Sequence, residues 1–258
     1  MSGLAVQVGA LARRSIVRTL RQPAMVVPSL LFPLMLLSIN SSGLDSATRL
    51  PGFPTDSYFQ FALAIAFVQG ALFSANSAGT NVANDIESGF MNRLALTPLR
   101  RVALMMGQLA GILALGLIQA LTFLLVGWAF GAGFEAGLPG ALLIVLLSLL
   151  ISLAFGCIGA FVALRSGSGE AVQGVFPLFF AALFLSSMSL PRDLIESDWF
   201  RTVADWNPVS YMLEGIRSLM IVGWDAEALA LGFGCAGVLA LLALVAASSA
   251  LRTRMVRT

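Results

Sequence analysis

The chain has 258 residues, of which 58% are apolar and only 11% are charged, and its formal net charge is +2. A soluble domain carries about 25% charged residues, so this excess of apolar side chains indicates a protein that folds in lipid. The small net charge gives no reason to expect a nucleic-acid partner. The absence of histidine excludes His-ligated metal sites, Ser-His-Asp triads and histidine proton relays.

The first predicted element is a helix over residues 4–21. At 100° per residue, Arg14, Arg18 and Arg21 cluster on one side and the apolar side chains on the other. This pattern predicts an amphipathic interfacial helix on the cytoplasmic surface, with its arginines toward anionic lipid headgroups. The alternative is a loose segment whose arginines only set the orientation of the chain in the membrane. The apolar side consists of Leu4, Val8, Leu11, Ala12, Ile16 and Leu20.

Six apolar windows follow, each long enough to cross a bilayer core of roughly 30 Å, which takes about 20 helical residues. We therefore predict an all-α membrane protein with six transmembrane helices. Small residues recur at the spacing of close helix contacts, as in Gly107–Gly111 and Gly156–Ala160. The predicted spans are Ala24–Ser42, Phe59–Thr80, Ala103–Phe130, Pro139–Leu164, Ala171–Leu190 and Ala228–Leu251.

The arginines predict the orientation of these helices. Eleven of the fifteen fall on the side of the two termini, whereas the other side holds four arginines and ten of the thirteen acidic residues. Arginine-rich loops stay inside the cell, so both termini are predicted to be cytoplasmic. All tryptophans and tyrosines then lie outside, where their rings could sit at headgroup level. They are Tyr58, Trp128, Trp199, Trp206, Tyr211 and Trp224.

The cytoplasmic segment 84–101 reads N-D-I-E-S-G-F-M-N-R-L-A-L-T-P-L-R-R. Asp85 or Ser88 could cap a short helix, which the Thr97-Pro98 pair would end. The apolar side chains of this helix are Phe90, Met91, Leu94 and Leu96. Exposed apolar residues on a short cytoplasmic helix indicate a binding partner.

Seven positions of this segment form a pattern: Asp85, Glu87, Gly89, Arg93, Leu94, Thr97 and Pro98. The pattern resembles the loop between the second and third helices of ABC-2 type exporter permeases, where a short coupling helix docks on the ATP-binding subunit. The resemblance implies that Glu87 and Arg93 contact this partner. It also implies an apolar anchor formed by Phe90, Met91 and Leu94. The stretch Gly89-Phe90-Met91-Asn92 departs from the more common Gly-Thr-hydrophobic-Glu, which implies a different groove on the partner.

The segment 191–227 lies between the last two predicted spans. Asn207-Pro208 predicts a turn and helix N-cap, after which Tyr211, Glu214 and Arg217 share one helical face. A Glu214–Arg217 pair at this spacing would be a surface pair worth about a few tenths of a kcal/mol.

Two stretches of this segment, L-P-R-D-L at 190–194 and W-N-P-V-S-Y-M-L-E-G-I-R at 206–217, extend the resemblance. They are similar to a proline-led segment and an Asn-Pro-x-x-Tyr-x-x-Glu-x-x-Arg stretch of the same family. The resemblance implies short re-entrant helices that cap the translocation path from outside. Trp199 and Trp206 could equally be interfacial anchors. The residues implied at this exit are Pro191, Trp199, Trp206, Asn207, Pro208, Tyr211, Glu214 and Arg217.

The resemblance covers essentially the whole chain, 1–258, as a single transmembrane domain, and is greatest for the antibiotic-resistance subgroup related to daunorubicin exporters. The chain contains no lysine and therefore no Gly-x4-Gly-Lys-Ser/Thr phosphate loop. The resemblance thus implies a permease without a cofactor of its own. A partner would bind ATP and Mg. The resemblance also implies two ATP-binding subunits and a second permease, which is identical or related to this chain. It implies that the complex lies in a bacterial cytoplasmic membrane.

The cargo is predicted only from the placement of aromatic residues. Sugar-polymer exporters would offer aromatic rings along the path, whereas the predicted spans carry Phe, Leu and Met. This favours an amphipathic drug, an antibiotic or a lipid over a polysaccharide or lipid-linked glycan. A non-transporting scaffold or regulatory subunit is the other alternative. An intramembrane enzyme is disfavoured, because no histidine and no mid-span carboxylate pair is available.

Overall fold

The protein is described by a computed structural model that covers residues 2–95 and 100–256. These residues form helices and connecting turns, without strands. Short 3-10 helices cover Asp45–Arg49 and Arg192–Leu194, and a π-helical turn covers Ser218–Val222. The α-helices are α1 (Ser2–Leu20), α2 (Pro23–Gly43), α3 (Tyr58–Glu87), α4 (Phe90–Ala95), α5 (Arg101–Ala129), α6 (Gly137–Ser166), α7 (Gly169–Phe184), α8 (Asp198–Trp206), α9 (Pro208–Arg217) and α10 (Ala226–Val256).

The central element is α3, which packs against α2, α5, α6, α7 and α9. It begins at Tyr58, directly after the N-cap Ser57, whose hydroxyl accepts a hydrogen bond from the Gln60 N–H. Of its most apolar stretch, 83% is buried within the chain. The closest approach is to α6, because a Cβ added to Gly159 would collide with the Ala75 carbonyl oxygen. Glycine thus lets the two helices meet backbone to backbone at the middle of α3.

Within the described residues, five helices are long and apolar enough to cross a membrane: α2, α3, α5, α6 and α10. The predicted fifth span, Ala171–Leu190, takes a different form. Its helix, α7, has 16 residues and ends at Phe184, a length of about 24 Å at 1.5 Å per residue. The following stretch is a run of serines before Pro191 that does not continue the helix. Within it, Ser186, Ser187 and Met188 are buried against the bundle.

The N-terminal helix packs on the protein. A Cβ on Gly107 of α5 would lie 2.7 Å from Leu11 Cβ, and one on Gly111 would collide with the Ser15 hydroxyl. This pair of glycines is the close helix contact that their spacing predicts. The segment is therefore an ordered helix held against α5 and not a loose leader. Leu20, predicted on the apolar side, is 57% exposed.

Hydrogen bonds between helix ends show how the bundle is arranged. At one end, Arg254 near the end of α10 donates to the Leu164 carbonyl of α6, and Glu87 of α3 accepts from the Gly169 N–H of α7. Helices α1 and α4 also lie at this end. We call it the coupling end, because α4 lies in the segment 84–101 that resembles the family's coupling helix. At the other end, the Asn207 amide donates to the Leu185 carbonyl after α7. We call it the cap end. Helix α7 thus reaches from the coupling end to the cap end.

Candidate functional site

The coupling end is built around the buried carboxylate of Asp85, whose side chain is 6% exposed. Two arginines of α1 bind it. Arg14 donates from Nη2 to Oδ1 at 2.8 Å and from Nη1 to Oδ2 at 3.2 Å, and Arg18 donates from Nη1 to Oδ1 at 2.6 Å. The i, i+4 spacing places both guanidiniums on the same face of α1. Charge-assisted hydrogen bonds of this kind tie α1 firmly to the end of α3.

This arrangement corrects two expectations. Arg14 and Arg18 point to a protein carboxylate rather than to lipid headgroups, because a buried Asp85 needs compensating charge. Of the three predicted interfacial arginines, Arg21 remains exposed. Asp85 does not cap a short helix either, since α3 continues to Glu87 and Ser88 is the C-cap. Gly89, with a φ of +67°, then turns the chain into α4.

Helix α4 is fixed to its own bundle by its apolar residues. The Phe90 ring lies under the Arg14 guanidinium, 3.9 Å from ring centroid to Cζ. Met91 is 9% exposed and belongs to a buried cluster with Leu164 of α6 and Leu251 of α10. Leu94 packs against this cluster. Met91 therefore anchors α4 internally and offers almost no surface to a partner.

Two charged residues of the segment face outward, unlike the buried Asp85. Glu87 and Arg93 are exposed, although Glu87 Oε1 accepts from the Gly169 N–H at 3.3 Å and Arg93 Nη2 donates to the Ser88 carbonyl at 3.5 Å. Thr97 and Pro98, which sequence reasoning assigned to the same site, lie outside the described residues. Among the described residues of the segment, Glu87 and Arg93 form the charged edge open to a partner, and Phe90, half-buried, lies between them in the sequence.

At the cap end, the predicted N-cap of α9 is confirmed. Asn207 Oδ1 accepts from the Val209 N–H at 3.0 Å, and Pro208 occupies the first position of the helix. The Asn207 amide also donates to the carbonyls of Ala182 and Leu185, at 2.6 and 3.0 Å. One side chain thus caps the start of α9 and satisfies the free carbonyls at the end of α7.

Arg217, at the end of α9, is buried with 6% exposure. Its guanidinium donates to the carbonyls of Phe61, Ser187 and Met188, at 3.2, 2.6 and 2.6 Å, and its Cζ lies 3.6 Å from the Phe61 ring centroid. Burial lowers the pKa of Arg217 to about 9, and the Glu214 carboxylate opposes this shift, so the side chain stays protonated at neutral pH. Arg217 holds the non-helical stretch after α7 against the start of α3.

The Glu214–Arg217 surface pair that the spacing suggested does not form. Glu214 instead binds Arg192 at two points, with Nε to Oε1 at 2.8 Å and Nη2 to Oε2 at 2.6 Å. The same guanidinium donates to Asp205 at 3.3 Å and lies 4.5 Å from the Tyr211 ring centroid. Arg192 is the residue that sequence reasoning missed. Its signal was its place in L-P-R-D-L, directly after Pro191.

A cavity of about 500 Å³ opens at the cap end. Pro191, Arg192 and Glu214 line it together with the buried Arg217, while Phe61 and Ile221 form apolar walls. Its size lies in the range of small-molecule sites, about 300–1,000 Å³. Of the eight predicted exit residues, five are not among its lining residues: Trp199, Trp206, Asn207, Pro208 and Tyr211. Trp199 and Trp206 are 66% and 86% exposed.

The family model of the ABC-2 type transporter matches residues 6–221. The chain belongs to this family. It is a permease component of an ABC transporter, and the family implies an ATP-binding partner. Comparison with curated proteins gives no match. The match runs from α1 through the coupling segment to the π-helical turn after α9.

In this ABC-2 permease, the residues singled out in the sequence fall into two groups at opposite ends. Asp85, Glu87, Phe90 and Arg93 lie at the coupling end with α1, whereas the residues around Arg217 lie at the cap end. The two groups share one element, α3, which contributes Asp85 to one end and the Phe61 carbonyl to the other. Helix α3 therefore connects the two groups of residues.

Proposed function

We propose that this protein is the permease subunit of an ATP-driven exporter that moves an amphipathic or lipid-like compound out across the cytoplasmic membrane. It acts as a pair of identical or related permeases with two ATP-binding subunits, which bind ATP and Mg. The observation that carries the proposal is the Asp85 junction. Because α1, α3 and α4 are joined there by charged and cation–π contacts, force on α4 reaches the bundle without passing through a loose loop.

Six crossings with both termini in the cytoplasm fit this mechanism. Helix α7 reaches from one end of the bundle to the other, although it is shorter than a typical span. Ser186, Ser187 and Met188 in the non-helical stretch after it are buried in protein, the condition under which irregular backbone is tolerated at membrane depth. Counting α7 with the five longer helices gives six crossings, and an even number of crossings puts both termini on the same side of the membrane. The coupling end is then cytoplasmic, in keeping with its arginines.

ATP-driven closure of the two partner subunits pushes on the Glu87–Arg93 edge, where α3 ends and α4 begins. The Phe90–Arg14 contact and the Asp85 ion pairs carry this movement into α1 and α3. Helix α3 then shifts relative to α2 and α7, and a path opens between the two permeases toward the cap end. In this proposal the exposed charges recognise the partner, and the buried Asp85 transmits the movement.

An apolar or amphipathic cargo is supported by the side chains between α2, α3 and α7. Phe32, Phe73 and Phe180 form edge-to-face contacts with centroid separations of 5.8–6.3 Å. Such rings offer apolar surface, whereas the hydroxyl-rich surface of a polysaccharide would require polar partners as well. An exporter of a polysaccharide or lipid-linked glycan is the second candidate. A scaffold that binds the ATPase without transport is the third.

The proposal is tested in proteoliposomes that contain the permease and the ATP-binding subunit that co-purifies with it. A fluorescent phospholipid and a fluorescent amphipathic cation serve as probes. In the double variant Glu87→Lys/Arg93→Glu, we expect normal insertion and normal thermal unfolding. ATP-dependent movement of the probe should fall about tenfold, or roughly 1.4 kcal/mol of coupling free energy.

The matched control is Arg49→Glu, which reverses an exposed charge at the cap end. This variant should transport like the unaltered protein. Undiminished transport by the double variant would contradict the assignment of the docking edge. Stable binding of the ATPase without ATP-dependent movement of any lipid, drug or glycan probe would favour the scaffold.

A further inference from the structure

Helix α8 exposes a continuous apolar stripe. Trp199, Val203 and Trp206 follow one another at i, i+4 and i+7, so they lie on one face of the helix. They are 66%, 36% and 86% exposed, while Ala204 on the opposite face is fully buried. Two exposed tryptophans on a nine-residue helix are unusual for a surface in contact with water, and such a patch marks a contact site.

The stripe is held rigidly. Arg201 Nε donates to the Ile195 carbonyl at 3.0 Å before the helix, and the Tyr211 hydroxyl donates to the Asp205 carbonyl at 2.7 Å near its end. Arg192 adds an ion pair to the Asp205 carboxylate at 3.3 Å. Helix α8 is thus fixed between the end of α7 and α9, and its stripe keeps one orientation relative to the bundle.

Other exposed aromatic rings occur at the same end of the bundle. Trp128 and Phe130, both 75% exposed, lie where α5 ends, and Trp224, 61% exposed, precedes α10. Both helices are long and apolar enough to span a membrane, so these rings mark where the apolar surface of the bundle stops. The α8 stripe adds two more exposed tryptophans at this end of the bundle.

The flanks of the stripe are polar and acidic. Asp198, Thr202 and Asp205 are exposed beside it, whereas the only basic residue of the helix, Arg201, is bound to backbone carbonyls. A helix with an apolar stripe and exposed polar flanks lies in the plane of a membrane surface. Asp205 is paired with Arg192, which leaves Asp198 as the exposed charge of the helix, so this helix suits zwitterionic headgroups better than anionic ones.

We propose that α8 is an interfacial membrane anchor, with Trp199, Val203 and Trp206 inserted at the boundary between headgroups and acyl chains at the cap end. The partner is the lipid surface itself, of zwitterionic composition. Asp205 of this helix and its ion-pair partner Arg192 both line the cap-end cavity. The anchor therefore fixes the mouth of the cavity at headgroup level. The proposal depends neither on the ATPase nor on the cargo.

Tryptophan fluorescence in phosphatidylcholine nanodiscs tests the anchor. Single-tryptophan variants keep Trp199 or Trp206 and carry Phe at the other three tryptophan positions. We expect strong quenching by lipids brominated near the headgroup, weaker quenching by lipids brominated near the bilayer centre, and little quenching by aqueous iodide. A variant that keeps only Trp128, at the end of α5, provides the reference for an interfacial ring.

Two outcomes would overturn the proposal. Full quenching by iodide without quenching by brominated lipid would place the stripe in water. Protection from both quenchers would mean that protein covers it, as a second copy of the chain would do.

A second variant separates insertion from folding. Val203→Asp places a charge in the centre of the stripe without touching the contacts that hold α8, so thermal unfolding should be unchanged. We expect bromolipid quenching of Trp206 to fall at least about twofold, because a charged residue opposes insertion into the acyl boundary. The matched control is Thr202→Asp on the polar flank, which should leave the quenching unchanged. Equal quenching in both variants contradicts the anchor.

Discussion

The two ends of the bundle each bury one charged side chain, and they compensate it in different ways. Asp85 is held by two arginines of another helix, which are themselves 39% and 22% exposed in their side chains. Arg217 is held by three backbone carbonyls and an aromatic ring. Arginine side chains can swing into water and return, whereas carbonyls of a packed backbone cannot leave without local unfolding. The coupling end is suited to rearrangement, and the cap end is suited to rigidity.

The largest effect is expected from Arg217→Met, which keeps the apolar stem and removes the charge. The carbonyls of Ser187 and Met188 would lose their donors, and an unsatisfied buried polar group costs about 1–3 kcal/mol. We expect a loss of about 3 kcal/mol or more and a fall in Tm of roughly 5–10 °C in detergent. Arg49→Met, at an exposed arginine, is the control. A Tm equal to that of the unaltered protein would show that the cap end does not depend on this residue.

A smaller and more local effect is expected from Asp85→Asn. The amide keeps the shape but cannot compensate two guanidiniums, and the arginines can relax into water because they are partly exposed. We expect a loss of about 1–2 kcal/mol, below the 3–5 kcal/mol typical of a fully buried pair. Hydrogen exchange should speed up in α1 and α4 but not in α9.

The control for this substitution is Asn84→Ala, at the exposed neighbouring position, which should exchange like the unaltered protein. If Asp85→Asn accelerated hydrogen exchange equally at both ends of the bundle, the coupling end would be no more suited to rearrangement than the cap end.

The smallest effect on stability is expected from Glu214→Gln, which removes the bidentate partner of Arg192. Both side chains are about one quarter exposed, so water replaces much of the interaction and the loss should be below about 1 kcal/mol. The loss should shrink further at high salt, because salt screens partly exposed ion pairs. Glu196→Gln, at an exposed acid, serves as the control. A loss of stability as large as that of Arg217→Met would show that the cap end depends as much on the Arg192–Glu214 pair as on Arg217.

Much of the helical framework and the Asn207 cap were predictable from sequence, because apolar windows and the Asn-Pro turn are local signals. The end of α7 at Phe184 also had a local signal, the serine-rich stretch before Pro191. The predicted span continued to Leu190 because hydropathy alone does not register this stretch. The Asp85 ion pairs were not predictable, since Arg14 and Arg18 lie 71 and 67 positions away and α1 was considered in isolation. The partners of Arg217 are backbone carbonyls. Every residue has a carbonyl, so no sequence pattern identifies which ones Arg217 contacts.

The contact between Gly159 and the Ala75 carbonyl divides α3 into two arms. Asp85 lies ten residues from Ala75 along the helix and Phe61 fourteen, or about 15 Å and 21 Å at 1.5 Å per residue. A rigid rod that pivots at this point turns a push of 1 Å at Asp85 into an opposite shift of roughly 1.4 Å at Phe61, by the same rise per residue. Since Arg217 binds the Phe61 carbonyl, a pivot of α3 at the glycine contact would carry a push at Asp85 to the cap, which lies on the longer arm.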